Sequence, residues 1–177
     1  TDGEEYRARA VILAVGSTIA RLGCPGEEQF EGRGVSYCAV CDGAFFKGQT
    51  IAVVGGGDAA VEEAAYLTRY AEKVYVIHRR EEFRASKLLQ DRLFANPKIE
   101  VIWNKVVTEM TGGPGGLQGL ALKDTVTGAT STLPVTGCFV FVGFRPNTGL
   151  IKEHFEHDAS GYVATDDRMM TSIPGLF

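Results

Sequence analysis

The chain has 177 residues, 45% of them hydrophobic, enough to bury the core of one domain, or of one domain with pieces of another. Eighteen basic residues against 22 acidic ones give a net charge of −4 with no concentrated basic run. That argues against nucleic acid as a partner, because neutralising phosphates takes a positive face. No apolar run is long enough to span a bilayer and no signal peptide opens the chain at Thr1. That absence says little, because the chain has no initiator Met and opens mid-pattern, like an excised piece; a cytoplasmic protein without a membrane partner is the expectation. Four cysteines, Cys24, Cys38, Cys41 and Cys138, are too few for a disulfide-dense secreted scaffold.

In chain order, TDGEEYRARAVILAVGS reads as a turn followed by a strand that begins polar and becomes apolar. Residues 10–15 form a continuous β-leaning run that stops at Gly16, as suits a strand covered on both faces. Residues 18–34, with Pro25 and several glycines among charges, read as an irregular connection. TIAVVGGG is a short buried strand ending in Gly55, Gly56 and Gly57. DAAVEEAAYLTRYAEK follows as a helix with Val61, Ala64, Ala65 and Leu67 along one stripe. Asp58 opens that helix, where it can accept from free backbone N–H groups and suits the positive end of the dipole. KVYVIHRR is the next strand, which completes a βαβ unit with a right-handed crossover.

A second helix is expected over 81–94, stopped by Asn96-Pro97. Three β-leaning segments follow at 99–107, 117–124 and 132–143, joined by hairpin-like loops, TGGPGGLQG and TVTGATST. The tail from Arg145 holds Pro146, Asn147 and Gly149, then an amphipathic piece and TDDRMMTSIPGLF. The expected class is α/β: a Rossmann-like domain with a parallel sheet, helices and an antiparallel β-meander.

Gly55-Gly56-Gly57-Asp58-Ala59-Ala60 fits G-x-G-x-x-A. Gly55 permits the tight turn, Gly57 lets the backbone approach a pyrophosphate, and the small Ala60 lets the helix pack on the strand. The phosphates would rest on free N–H groups at the helix start. An NAD site places Asp or Glu at the end of the second strand to bind the ribose 2′-hydroxyl. This chain has His78-Arg79-Arg80 there and Arg84 one turn into the expected helix. Arginine forks grip a 2′-phosphate that a carboxylate would repel, so the expected nucleotide is NADPH. His78 is either structural or a contact to the adenosine end.

Cys38-Ala39-Val40-Cys41-Asp42 allows three chemistries. Zinc needs two further ligands at short spacing, and His154 and His157 lie far along the chain, so no metal is expected. A structural staple across two residues closes a tiny loop with little entropic benefit. The remaining reading is a redox pair that cycles between dithiol and disulfide, with Asp42 able to take or supply a proton. Cys24 and Cys138 each stand alone and read as small buried residues.

Taken together, GVSYCAVCDGAFFKGQTIAVVGGGDAAVEEAAYL, VIHRREEFRAS, FVFVGFRPNTGL and TDDRMMTSIPGLF closely resemble low-molecular-weight thioredoxin reductases, in that family's order and along essentially the whole chain. The resemblance implies a flavoenzyme that moves electrons from NADPH through FAD to a C-x-x-C disulfide and then to thioredoxin or a thioredoxin-like protein, typically as a homodimer. It implies that Cys41 is the thiol nearer the flavin, that Cys38 attacks the thioredoxin disulfide, and that Asp42 is the acid/base. Gly55, Gly57, Asp58 and Ala60 would line the pyrophosphate turn, with Arg79, Arg80 and Arg84 at the 2′-phosphate. The NADPH domain would run over 20–145, inserted between partial FAD-domain segments at 1–19 and 146–177.

The family opens with an FAD-binding G-x-G-x-x-G turn and continues past SIPGLF into an Ala-Gly-Asp segment, neither of which this sequence contains. The 177 residues are therefore expected to bind NADPH but not FAD, without turnover of their own. Two rivals remain. The flavoprotein subunit that reduces alkyl hydroperoxide reductase shares the C-x-x-C-D segment and glycine turn, but it uses NADH and carries an acidic residue where His78-Arg79-Arg80 stands. A non-catalytic redox-sensing module would bind NADPH and never pass electrons.

Overall fold

Runs of Val, Ile and Phe too apolar for a half-exposed strand need cover on both faces, and a parallel sheet with a layer on each side supplies it. The computed structural model describes residues 3–151 and 153–177. These form two units, one of Ala20–Gly143, the other of the described residues up to Ile19 with those from Phe144 onward. The strands in chain order are β1 (Ser17–Ile19), β2 (Val35–Ser36), β3 (Thr50–Gly55), β4 (Lys73–Ile77), β5 (Ile99–Ile102), β6 (Lys105–Gly113), β7 (Gly116–Asp124), β8 (Thr130–Leu133), β9 (Gly137–Phe141) and β10 (Phe144–Pro146). The helices are α1 (Ala39–Asp42), α2 (Asp58–Leu67) and α3 (Lys87–Phe94), and a short 3-10 helix spans Gly43–Phe46.

In the larger unit the sheet order is β2-β9-β3-β4-β5, parallel throughout. Successive side chains of a strand point to opposite faces, and β3 shows the consequence. Ile51 and Val53 pack with Ala60, Val61, Ala64 and Leu67 of α2. Ala52 and Val54 pack on the other face with Met110, Leu117, Leu120 and Leu122 of an antiparallel sheet, β6-β7-β8. The result is three layers: helices, parallel sheet, antiparallel sheet. Phe139, on the interior strand β9, is fully buried, with its ring edge-on to Phe46 at 5.2 Å between centroids. In the smaller unit β1 and β10 pair antiparallel.

The α/β architecture is the expected one, and several element boundaries are corrected. Residues 10–15 form no strand: Val11 and Ile12 are exposed, and the strand there is Ser17–Ile19. A β-leaning run becomes a strand only where a neighbouring edge receives its hydrogen bonds, and among the described residues β10 offers one from Ser17 to Ile19. Thr1 and Asp2, the start of the expected opening turn, lie outside the described residues. The first βαβ helix ends at Leu67 rather than 73, and its second strand ends at Ile77 rather than 80.

The expected helix over 81–94 begins only at Lys87, because 81–86 is held as a loop. The Arg84 N–H donates to the Gly56 carbonyl at 2.8 Å and the Ser86 N–H to Asp58 Oδ1 at 2.6 Å. Asp58 therefore serves that loop, while Gly57 caps α2. Residues 99–107 divide at Trp103-Asn104, where Asn104 has φ 55°, and send β5 to one sheet and β6 to the other. Residues 132–143 divide around Pro134, which cannot donate to a ladder. No α-helix forms in the tail among the described residues, only a 3-10 turn at Thr148–Leu150.

Replacing Phe139 by Ala is expected to cost about 3–5 kcal/mol, read from the urea midpoint. Phe45→Ala, at a ring 76% exposed, should change it by less than about 0.5 kcal/mol.

Candidate functional site

Two neighbouring features occupy the carboxyl edge of the parallel sheet. The first follows β2. Ser36 ends that strand beside Phe139 of β9, and Tyr37 leads into Cys38, the N-cap of α1. Cys38 and Cys41 are joined as a disulfide with Cα atoms 5.3 Å apart. The Cys41 N–H donates to Cys38 Sγ at 3.2 Å and the Asp42 N–H to the Cys38 carbonyl at 3.2 Å. Ala39 is buried in the helix-side core, while Val40 and Cys41 are exposed. The turn therefore anchors on one small side chain and presents Cys41 to solvent. Asp42 accepts from the Ser36 hydroxyl at 2.6 Å.

The remaining cysteines are free. Burial pushes both thiols up, Cys138 far more than the half-buried Cys24, so neither is a ready thiolate. Among the described residues no group of three or more His, Cys, Asp or Glu could hold a metal ion.

The second feature is a cleft of about 370 Å³ at the ends of β3, β4 and β9. Its lining includes Gly55 and Gly56 of the glycine turn, and four basic residues, Arg21, Arg79, Arg84 and Lys105, with no Asp or Glu. Glu31 meets the Arg21 guanidinium at 2.7 Å and Asp124 meets Lys105 Nζ at 2.8 Å, so an anion in this cleft would be held by Arg79 and Arg84. The glycines are demanded by their neighbours. A Cβ on Gly55 would meet the Phe141 carbonyl and Ala60 Cβ, and one on Gly56 would run into the His78 imidazole. At Gly57 a Cβ would meet nothing within 4 Å, so the turn opens outward there.

His78 is only 6% exposed. Its Nδ1 lies 2.9 Å from the Gly55 carbonyl; a carbonyl only accepts, so Nδ1 carries the proton and Nε2 holds a lone pair. Nε2 is buried without a hydrogen-bond partner, and burial lowers the imidazole pKa. The loop after β4 is also tied down from the antiparallel sheet. The Lys105 N–H donates to the His78 carbonyl at 3.1 Å and Thr125 Oγ1 to the Arg79 carbonyl at 3.2 Å. Lys105 Nζ pairs with Asp124 at 2.8 Å, both mostly buried. That ammonium, followed by the Thr127 and Val126 N–H groups, holds the Asp124 carboxyl well below the usual carboxylate range.

Of the expected site residues, Gly55, His78, Arg79 and Arg84 line the cleft. Gly57, the N-cap of α2, and Asp58, its first residue, are not among the lining residues, Ala60 is packed beneath Gly55, and Arg80 is exposed outside the lining. Cys38, Cys41 and Asp42 come together in the disulfide turn rather than in the cleft. Sequence reasoning missed Arg21 and Lys105, which lie in segments with no recognisable motif. It also missed Glu27, whose buried carboxylate accepts from the Leu22 and Gly23 N–H groups at 3.0 and 2.7 Å and from Tyr37 Oη at 3.0 Å. Tyr37 Oη accepts in turn from Arg21 at 3.0 Å, and burial followed by the Glu27 bond pushes the phenol up. One network thus joins a cleft wall to the residue preceding Cys38.

A family model for pyridine nucleotide-disulphide oxidoreductases matches residues 1–177. A thioredoxin reductase of Listeria monocytogenes is 51% identical over 172 residues, covering 97% of this chain and 54% of that protein. One from Bacillus subtilis is 48% identical over 180 residues, covering 98% and 55%. Among solved structures, Lactococcus lactis thioredoxin reductase (FR conformation) superposes with a TM-score of 0.89 at 43% identity, over 99% of this chain and 58% of that one. The T. acidophilum thioredoxin reductase gives 0.87 at 32%, with the same coverage. The chain spans about half the length of the curated relatives it matches.

Folding keeps His78 neutral, whereas an unfolded histidine takes up a proton below about pH 6.5. The contribution of His78 is therefore complete above that pH and declines as pH falls below it. The urea midpoint should drop on acidification from neutral pH, and His78→Gln should flatten that part of the profile.

Proposed function

Because the chain belongs to the pyridine nucleotide-disulphide oxidoreductase family, we propose that it is the nucleotide- and disulfide-bearing portion of an NADPH-dependent thioredoxin reductase. The observation that carries this reading is the cleft at the glycine turn, lined by Arg79 and Arg84, on the same sheet edge as the Cys38–Cys41 disulfide. In this reading Arg79 and Arg84, with Arg80 at the rim, hold the 2′-phosphate. Gly55, Gly57, Asp58 and Ala60 shape the turn that receives the pyrophosphate, and His78 closes it from below. The net reaction is NADPH + H⁺ + disulfide → NADP⁺ + dithiol.

FAD would supply the two-electron relay between nucleotide and disulfide. FAD is assigned to the whole enzyme, since this chain spans about half the length of the curated relatives it matches. Cys41 takes the role of the flavin-facing thiol. Cys38 attacks the disulfide of thioredoxin or a thioredoxin-like protein, and Asp42, next to Cys41, moves the proton. The reading extends to a homodimer acting in the cytoplasm, with neither nucleic acid nor membrane as partner. The net charge of −4 speaks against a nucleic-acid partner; no helix among the described residues is long and apolar enough to cross a membrane.

Calorimetry should find NADPH binding at least about tenfold more tightly than NADH, and Arg79→Ala with Arg84→Ala should remove that difference, since each deletes a charge-assisted hydrogen bond. Tighter binding of NADH would contradict the assignment.

A further inference from the structure

We propose that Ser36 is a positioning residue for the dithiol chemistry, aiming the Asp42 carboxylate and fixing the Cys38 backbone; the inference rests on Asp42 serving as the acid/base. Ser36 is 5% exposed, and with Glu27 and His78 it makes up the buried polar side chains among the described residues. As the last residue of β2 it is held by the parallel ladder to Phe139 of β9. Its Oγ accepts from the Cys38 N–H at 3.1 Å and lies 2.6 Å from Asp42 Oδ2 and 3.3 Å from the Cys38 carbonyl. A serine hydroxyl has one proton to give. The shorter contact to a charged acceptor takes it. The Asp42 N–H, bonded to the Cys38 carbonyl at 3.2 Å, closes the ring from the other side. Ser36 thus grips both ends of the C-x-x-C-D turn from a rigid strand, and it touches neither sulfur.

The step it serves is thiol–disulfide exchange. The Cys38 thiolate attacks one sulfur of an external disulfide; that S–S bond breaks, a mixed disulfide forms, and the first external thiolate leaves. The Cys41 thiolate then attacks Cys38 Sγ, re-forming the Cys38–Cys41 bond and releasing the second thiolate. Two electrons pass to the external disulfide, and the two protons lost by Cys38 and Cys41 end on the released thiols. Asp42 carries a proton between them only while its carboxylate is held toward the turn.

The test uses the reduced chain in a Cys24→Ser background, reacted with the alkyl disulfide oxidised glutathione, with re-formation of the Cys38–Cys41 disulfide followed by mass spectrometry after acid quenching, from acid to alkaline pH. Ser36→Ala is expected to slow the exchange about fivefold and to change the pH profile as Asp42→Asn does. The double variant should be no slower than Asp42→Asn alone, the signature of two groups acting as one. Ser36→Thr, which keeps the hydroxyl, should restore rate and profile. The proposal is overturned if Ser36→Ala reacts like the native chain, if the two substitutions multiply, or if Ser36→Thr fails to rescue. A native-like Asp42→Asn would bring down the acid/base reading itself and the inference with it. A slow Asp42→Asn beside a native-like Ser36→Ala removes the inference alone.

Discussion

The constraint on which everything else depends is that β2, β9, β3 and β4 run in one direction. Parallel pairing brings Val35, Cys138 and Ala52 level across three strands, and Ser36, Phe139 and Val53 beside them. Each chain leaves the sheet at the same edge, where ligands of open α/β sheets bind. The segment leaving β2 makes the disulfide turn, that leaving β3 the glycine turn, and that leaving β4 the His78-Arg79 loop. The end of β9 supplies Phe141 and Val142 to the cleft wall. The ladder is stable because both faces are covered, by α2 on one side and by β6 and β7 on the other.

The polar groups buried at this edge explain its rigidity. Leaving a buried donor or acceptor unpaired costs about 1–3 kcal/mol, and two of the three buried polar side chains among the described residues, Glu27 and Ser36, are bonded throughout. Glu27 satisfies its carboxylate with two backbone N–H groups and a phenol, and Ser36 with a carboxylate and an amide. His78 spends one nitrogen on the glycine turn and leaves the other open. Each of the three fixes a connection that follows or precedes a strand, which is where backbone is least constrained by the sheet.

What the sequence revealed was local. G-x-G-x-x-A and C-x-x-C-D are legible because their function depends on residues a few positions apart. The structure gives Gly55 and Ala60 the mutual contact that the pattern implies. What it hid was long-range. Helical patterning over 81–94 is real, but Arg84 and Ser86 find better partners in Gly56 and Asp58, some thirty residues earlier. Residues 10–15 have the composition of a buried strand, and they are exposed because a strand needs a neighbour that composition cannot report. Arg21 and Lys105 reach the cleft through irregular chain and through the second sheet, so no spacing rule could place them beside Arg79. Ser36 reads as a small residue at a strand end until its partners are known.

The proposed function requires the glycine turn and the basic loop to bind one nucleotide together. Titrating the chain with NADP⁺ while recording its amide NMR spectrum tests that residue by residue. The predicted result is that the largest shifts fall on the Gly56 and Gly57 amides and on the loop from Arg79 to Arg84. Shifts confined elsewhere, as at the Gly112–Gly116 turn, or a spectrum unchanged at saturating nucleotide, would contradict it.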